Sequence, residues 1–124
     1  MEAKVFNWSN IEEEVTPSFS RKIIMGEKQS WQKVFIKKGQ KVPLHKHPHE
    51  QISYVMKGAI KFFVNKKEYI VKEEEVLLIP SNAEHGCEAL EDSIALESFS
   101  PPREDCIKKY FKKLYFLLLS HFLL

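Results

Sequence analysis

Cysteine is almost missing from this chain: only Cys87 and Cys106 occur, too far apart for a C-x-x-C pair. A disulfide framework or a paired-cysteine redox motif is therefore not expected. An excess of one charge sign is missing too, because 19 lysines and arginines are interspersed with 17 acids, for a net charge of +2. Nucleic-acid binding leaves a basic footprint, and none is present. No internal repeat and no low-complexity linker interrupts the 124 residues, so one domain with its own core is expected. Residues 1–15 are polar and acidic where a secretory signal would be apolar. Together these features predict a reduced, cytoplasmic setting.

A long amphipathic helix is also lacking before residue 107. In its place stand short runs rich in β-branched and aromatic residues, at 19–25, 31–37, 42–47, 51–56, 59–64, 68–72, 76–79, 84–89 and 93–99. Turn chemistry separates them at Gly26-Glu27-Lys28-Gln29, Gly58, Asn65-Lys66-Lys67, Glu73-Glu74 and Pro80-Ser81-Asn82. The alternation at residues 5–8 predicts one more short strand, ahead of the acidic run Glu12-Glu13-Glu14. Closely spaced short strands of this kind predict an all-β sandwich or barrel rather than βαβ units. The expected organisation is an N-terminal strand and loop over 1–18, a barrel over 19–106 and an apolar tail over 107–124.

In the tail, Ile107, Tyr110, Phe111, Leu114, Leu118 and Phe122 recur at helical spacing, with Lys108, Lys109, Lys112 and Lys113 crowding its first half. As a helix, its apolar part would be roughly 16 Å long, about half of a bilayer's hydrocarbon core, so a membrane span is not expected. Packing on the barrel, a dimer contact and a membrane-surface anchor remain open for it. Edge strands and this tail make a homodimer the expected assembly.

Three of the five histidines, His45, His47 and His49, fall within five residues. Imidazole is the commonest neutral metal ligand, and residues 45, 47, 49 and 51 share a face if one strand carries them all. On that counting His45, His47, His49 and Gln51 are all candidates, and Glu50 joins them if the strand bulges at Pro48. His85, just after the turn at Pro80-Ser81-Asn82, is a distant further candidate. Cys87 lies two residues on and is expected to be an inert buried thiol, while His121 has no partner pattern.

The combination resembles the two motifs of the cupin family. The first, G-x5-H-x-H-x3/4-E-x6-G, is matched by Gly39, His45, His47 and Gly58, with Gln51 at the glutamate position. The second, G-x5-P-x-G-x2-H-x3-N, is matched at Pro80 and His85, while Glu74 and Asn82 replace its glycines and Ala89 its asparagine. The resemblance implies a jelly-roll β-barrel (a double-stranded β-helix) holding a divalent transition metal, such as Zn, Ni, Fe, Mn or Cu. Its ligands would be His45, His47, Gln51 and His85. A neutral Gln in place of Glu would leave the bound ion more Lewis acidic.

Within that family, Glu97-Ser98-Phe99-Ser100-Pro101-Pro102-Arg103, together with His47-Pro48-His49-Glu50-Gln51, resembles the single-domain pectin-degradation cupins. Those proteins open 4,5-unsaturated uronate monomers to linear keto sugars. The resemblance implies a small sugar-acid substrate, catalytic roles for Glu97 and Arg103, and substrate contacts from Phe99, Arg103 and His49. Glu97 departs from that group, whose usual residue there is Asp. Two other readings stand beside this one: a cupin dioxygenase or sugar isomerase using the same metal shell, and a cupin that binds or senses a small ligand without turnover.

Overall fold

Buried side chains alternate with more exposed ones along residues 30–36, 50–57, 59–64 and 93–100, and this period of two is what builds the centre of the sheets. The structure, a computed structural model, describes residues 2–105. Cys106, His121 and the helix expected in the tail lie outside the described residues. Ten strands follow in order: β1 (Glu14–Val15), β2 (Ser20–Met25), β3 (Ser30–Ile36), β4 (Lys41–His45), β5 (Glu50–Lys57), β6 (Ala59–Val64), β7 (Lys67–Lys72), β8 (Val76–Ile79), β9 (His85–Ala89) and β10 (Ser93–Ser100).

They form two antiparallel sheets, one in the order β1-β2-β3-β10-β5-β8 and one in the order β4-β9-β6-β7. This is the all-β architecture expected from the turn spacing, in the jelly-roll form that the cupin resemblance implies. Nine of the strands fall on the nine runs expected between 19 and 99, shifted by no more than a residue or two at their ends. The remaining expectation needs correcting, because residues 5–8 form no strand. Asn7 accepts hydrogen bonds from the Ser9 amide and hydroxyl and caps a 3-10 turn at Trp8–Asn10, so local side-chain bonding displaces the extended form there. The N-terminal strand is instead the two-residue β1, paired with β2.

Side chains facing inward change character along the barrel. One end is apolar, with Ile36, Val55, Ile60, Phe62, Ile79, Ala89 and Ala95 in a single buried cluster. Toward the other end the same inward phase carries Ser30 and Gln32 on β3, Gln51 and Ser53 on β5, and Glu97 on β10, all buried. Glu97 lies opposite Gln32 on one side and Ser53 on the other, so three polar residues form one rung. A buried polar rung persists only when its members satisfy one another, and here it marks where the core gives way to a site.

The turns explain the departures from the second motif. Glu74 and Asn82, standing at its two glycine positions, have φ of 70° and 62°. Both therefore adopt the left-handed conformation that glycine takes without steric cost.

Candidate metal centre

His45 ends β4 and His85 begins β9, and the two are direct cross-strand partners. The register of this pair shifts between Val42 and His45, which brings β4 close against Gly86. A Cβ on Gly86 would lie 2.6 Å from the Val42 carbonyl oxygen and 3.2 Å from the Leu44 amide nitrogen. Only glycine permits that approach, and the approach sets His45 beside His85. Their ring centroids are 4.3 Å apart.

The premise that positions 45 to 51 share one strand does not hold. Residues 46–49 lie between β4 and β5, in a loop that contains Pro48 and separates the two ladders. The loop is tied down by the Asn82 amide, which donates to the His47 carbonyl at 2.9 Å. His47 still joins the cluster: one nitrogen each from His45, His47 and His85 lies within 4.8 Å of the others.

The main chain decides which nitrogen faces inward. Nδ1 of His45 meets the Pro43 carbonyl at 2.9 Å, Nδ1 of His47 the His49 carbonyl at 3.0 Å, and Nδ1 of His85 the Ala83 carbonyl at 2.8 Å. A carbonyl oxygen only accepts, so each Nδ1 carries the hydrogen and each Nε2 keeps its lone pair. Nε2 of His85 is buried with no hydrogen-bond partner. Nε2 of His47 lies 3.2 Å from Oε1 of Gln51, so two acceptors face each other. The Gln51 amide is not free to turn, because its Nε2 donates to Ser53 Oγ at 3.0 Å and to Glu97 Oε2 at 2.7 Å. Two converging lone pairs and an orphaned third are what a divalent cation satisfies, and a 3.2 Å separation suits two ligands held at about 2.1 Å from one ion. His45, His47, His85 and Gln51 therefore fit a metal by their donor chemistry.

A cavity of about 320 Å³ opens beside these groups, lined among others by His45, Gln51, His85, Glu97, Phe99 and Arg103. Such a volume is in the ~300–1,000 Å³ range of small-molecule sites. The Glu97 carboxylate accepts from Gln32 Nε2 at 2.7 Å through one oxygen, and from Gln51 Nε2 and Ser53 Oγ through the other. The Phe99 ring meets His47 edge-on, and the Arg103 guanidinium lies over Phe99 with its Cζ 5.1 Å from the ring centroid. Arg103 also holds Asp105 in a two-pronged pair at 3.0 and 2.7 Å, which lowers the Asp105 carboxyl to about 2.

Residues 32–98 match the cupin domain family. The chain is a cupin. Its fold superposes on KdgF from Halomonas sp. with a TM-score of 0.79 and 28% identity over 85% of this chain and 99% of that one. An RmlC-like cupin from Shewanella frigidimarina gives 0.76 and 24% identity, covering 85% of this chain and 96% of that one. Oxalate decarboxylase from Bacillus subtilis, studied for its Mn(II) centres, gives 0.70 and 19% identity, covering 81% of this chain and 31% of that one. A comparison with curated proteins finds no match. Among the described residues, no helix of the cupin is long and apolar enough to cross a membrane.

Of the residues singled out from the sequence, His45, His47, Gln51, His85, Glu97, Phe99 and Arg103 come together in the cupin. His49 does not join the three-histidine cluster; its ring centroid is 5.3 Å from that of His47, and its Nδ1 is buried without a partner. Cys87 lines the cavity as a protonated thiol, since burial pushes it up to about 12 with the Glu97 charge adding to the effect, and it is not part of the three-histidine cluster. Four residues went unnoticed in the sequence: Glu14, Arg21, Gln32 and Ser53. Arg21 pairs with Glu14 at 3.2 Å and donates to Gln32 Oε1 at 3.3 Å, which continues the network behind Glu97. Gln32 and Ser53 could have been found by phase, since each shares parity with buried valines on its own strand, Val34 and Val55.

Burial, reinforced by the Arg103 charge, lowers the His47 imidazole from 6.5 to about 4, and burial also lowers His85. The unfolded chain takes up these protons near 6.5, whereas folded His47 resists them until about 4. The associated stability is thus complete above the unfolded value and is lost as pH falls through the folded one. The melting temperature of the metal-free cupin is expected to drop by on the order of 5 °C or more over that window. Melts in chelator at a series of pH values check this, and a flat profile between neutral pH and the folded value would contradict it.

Proposed function

We propose that this cupin is a metal-dependent enzyme that opens and tautomerises 4,5-unsaturated uronate monomers to linear keto sugars. The observation that carries the reading is one cavity lined by a histidine cluster, a carboxylate, an aromatic ring and an arginine. The likeness to KdgF, at 28% identity, supports it. His45, His47, His85 and Gln51 would hold the ion, which when bound supplies Lewis acidity toward substrate oxygens.

The remaining work falls to the chain's own side chains. Arg103 grips the uronate carboxylate, and its bidentate pairing with Asp105 demonstrates the fork geometry that this requires. Phe99 packs beneath the guanidinium and gives the sugar ring an apolar wall. Glu97 moves the proton. A carboxylate has about four acceptor positions, and protein donors fill three of them here, which leaves one for a substrate hydroxyl on a residue that lines the cavity.

The test is incubation of the metal-loaded chain with a panel of unsaturated uronates while ultraviolet absorbance is followed, with and without chelator. The expected result is loss of the conjugated chromophore, its abolition by chelator, and a rise in KM of about tenfold or more in Arg103→Ala. Persistence of the chromophore with every uronate would overturn the reading. One observation favours a second reading, a cupin that binds uronates without turnover: the Glu97 carboxylate is already engaged by three donors. Tight uronate binding with an unchanged chromophore selects it.

A further inference from the structure

We infer that Glu97 is a positioning residue for the metal shell: its carboxylate selects which end of the Gln51 side chain faces the three histidines. This rests on the reading that the cluster holds a divalent cation, and it is independent of the substrate.

A carboxamide has two ends of nearly equal size, and only the oxygen can ligate. Gln51 is 5% exposed, so bulk water does not decide its orientation. Its two N–H groups are taken by Glu97 Oε2 at 2.7 Å and Ser53 Oγ at 3.0 Å, and Ser53 itself donates to Glu97. Turning the amide over would bring its oxygen against the Glu97 carboxylate and its N–H groups toward the lone pair of His47. Both contacts of the present orientation would be lost together. Glu97 is held in turn by Gln32 at 2.7 Å, Gln32 by Arg21 at 3.3 Å, and Arg21 by Glu14. One continuous chain of side-chain bonds thus runs from the outermost strand β1 through β2, β3 and β10 to the ligand on β5.

The negative charge that the first cupin motif places on the ligand itself stands here one hydrogen bond behind it. Gln51 and Glu97 therefore act as a pair, a carboxamide in front and a carboxylate behind. Either order of the two gives one oxygen ligand and one satisfied hydrogen bond. Two carboxamides lose the orientation, and two carboxylates oppose each other across a gap of 2.7 Å.

Zinc titrations by calorimetry on the full chain, with Glu97→Gln made alone and together with Gln51→Glu, test the pairing. Glu97→Gln is expected to weaken zinc binding about 10- to 100-fold by itself, the size of effect seen when a ligand loses its orienting partner. In the presence of Q51E the same substitution is expected to strengthen binding, so that the double variant binds more tightly than Q51E alone. A residue that merely supports the fold would weaken binding in both settings. Effects of the same sign in both, or no effect in either, overturn the inference. If E97Q does not fold, the comparison of Q51E with Q51E/E97Q still decides. A wild-type chain that takes up no zinc overturns the metal reading and this inference with it, whereas normal wild-type uptake without the sign reversal overturns only this inference.

Discussion

His85→Ala is expected to weaken divalent-metal binding by about 100-fold or more, as measured by zinc titration, and to abolish most of the rise in melting temperature that zinc confers. Structural zinc sites in zinc-finger peptides bind with a total of ~10–16 kcal/mol spread over four ligands, which sets the scale, and each 1.4 kcal/mol is a factor of ten. One imidazole therefore accounts for at least two powers of ten. Nε2 of His85 is a buried atom with no hydrogen-bond partner among the described residues, so none of them competes with a cation for it, and none replaces it when the ring is gone. The metal-free variant loses a buried ring but also a buried unsatisfied nitrogen, two effects of opposite sign. Its own melting temperature should consequently change less than its response to zinc. His49→Ala is the matched control, and it should retain affinity within a few-fold because His49 stands outside the cluster. Equal losses in the two variants would show that the cluster is wrongly drawn.

Gly58→Ala is expected to lower stability by about 3 kcal/mol, a fall in melting temperature on the order of 10 °C. Two costs combine at this position. Gly58 has φ of +88°, and an added Cβ would lie 2.6 Å from the Asp92 carbonyl oxygen and also run into the Ser93 hydroxyl. Ser93 cannot yield easily: it is 4% exposed, receives the Ala59 amide at 3.1 Å and donates to the Glu91 carbonyl at 2.8 Å. Gly39, the other end of the first motif, has φ of +85° but nothing within 4 Å of the added atom. Gly39→Ala should thus cost only the backbone term, about 1–2 kcal/mol. Urea or thermal melts of the two variants separate strain from crowding, and equal losses would show that crowding contributes nothing at Gly58.

The strands were legible because their inward phase is apolar at one end, as in Val34 and Ile36 on β3 and Ala95 on β10. The histidines were legible by spacing, since both the glycine frame and the turn before His85 are local signals. What the sequence hid is what depends on partners far along the chain. Gln32 shares the inward phase of Val34, but its partner is not visible until β10 brings Glu97, 65 positions later, to its side chain. Arg21 is followed by Lys22 and looks solvated, yet it is 7% exposed and closed over by Glu14 of a two-residue strand without any periodicity. At residues 5–8 the alternation was real, but Asn7 offered the backbone a nearer hydrogen-bond acceptor than any sheet could. Pro48 was a local warning that the shared face of positions 45 to 51 depends on an unbroken ladder, and the loop over 46–49 removes that condition.

The three carbonyls of Pro43, His49 and Ala83 each lie two residues from the imidazole they hold, and that closeness has a consequence for the speed of loading. Each ring is oriented by its own stretch of main chain as soon as the turn around it forms, before any ion arrives. The rotational freedom that a flexible ligand surrenders on binding has here been surrendered during folding. Uptake of an ion by the folded protein would then involve little rearrangement of these rings, and its pace would be governed by how quickly the ion sheds its own water.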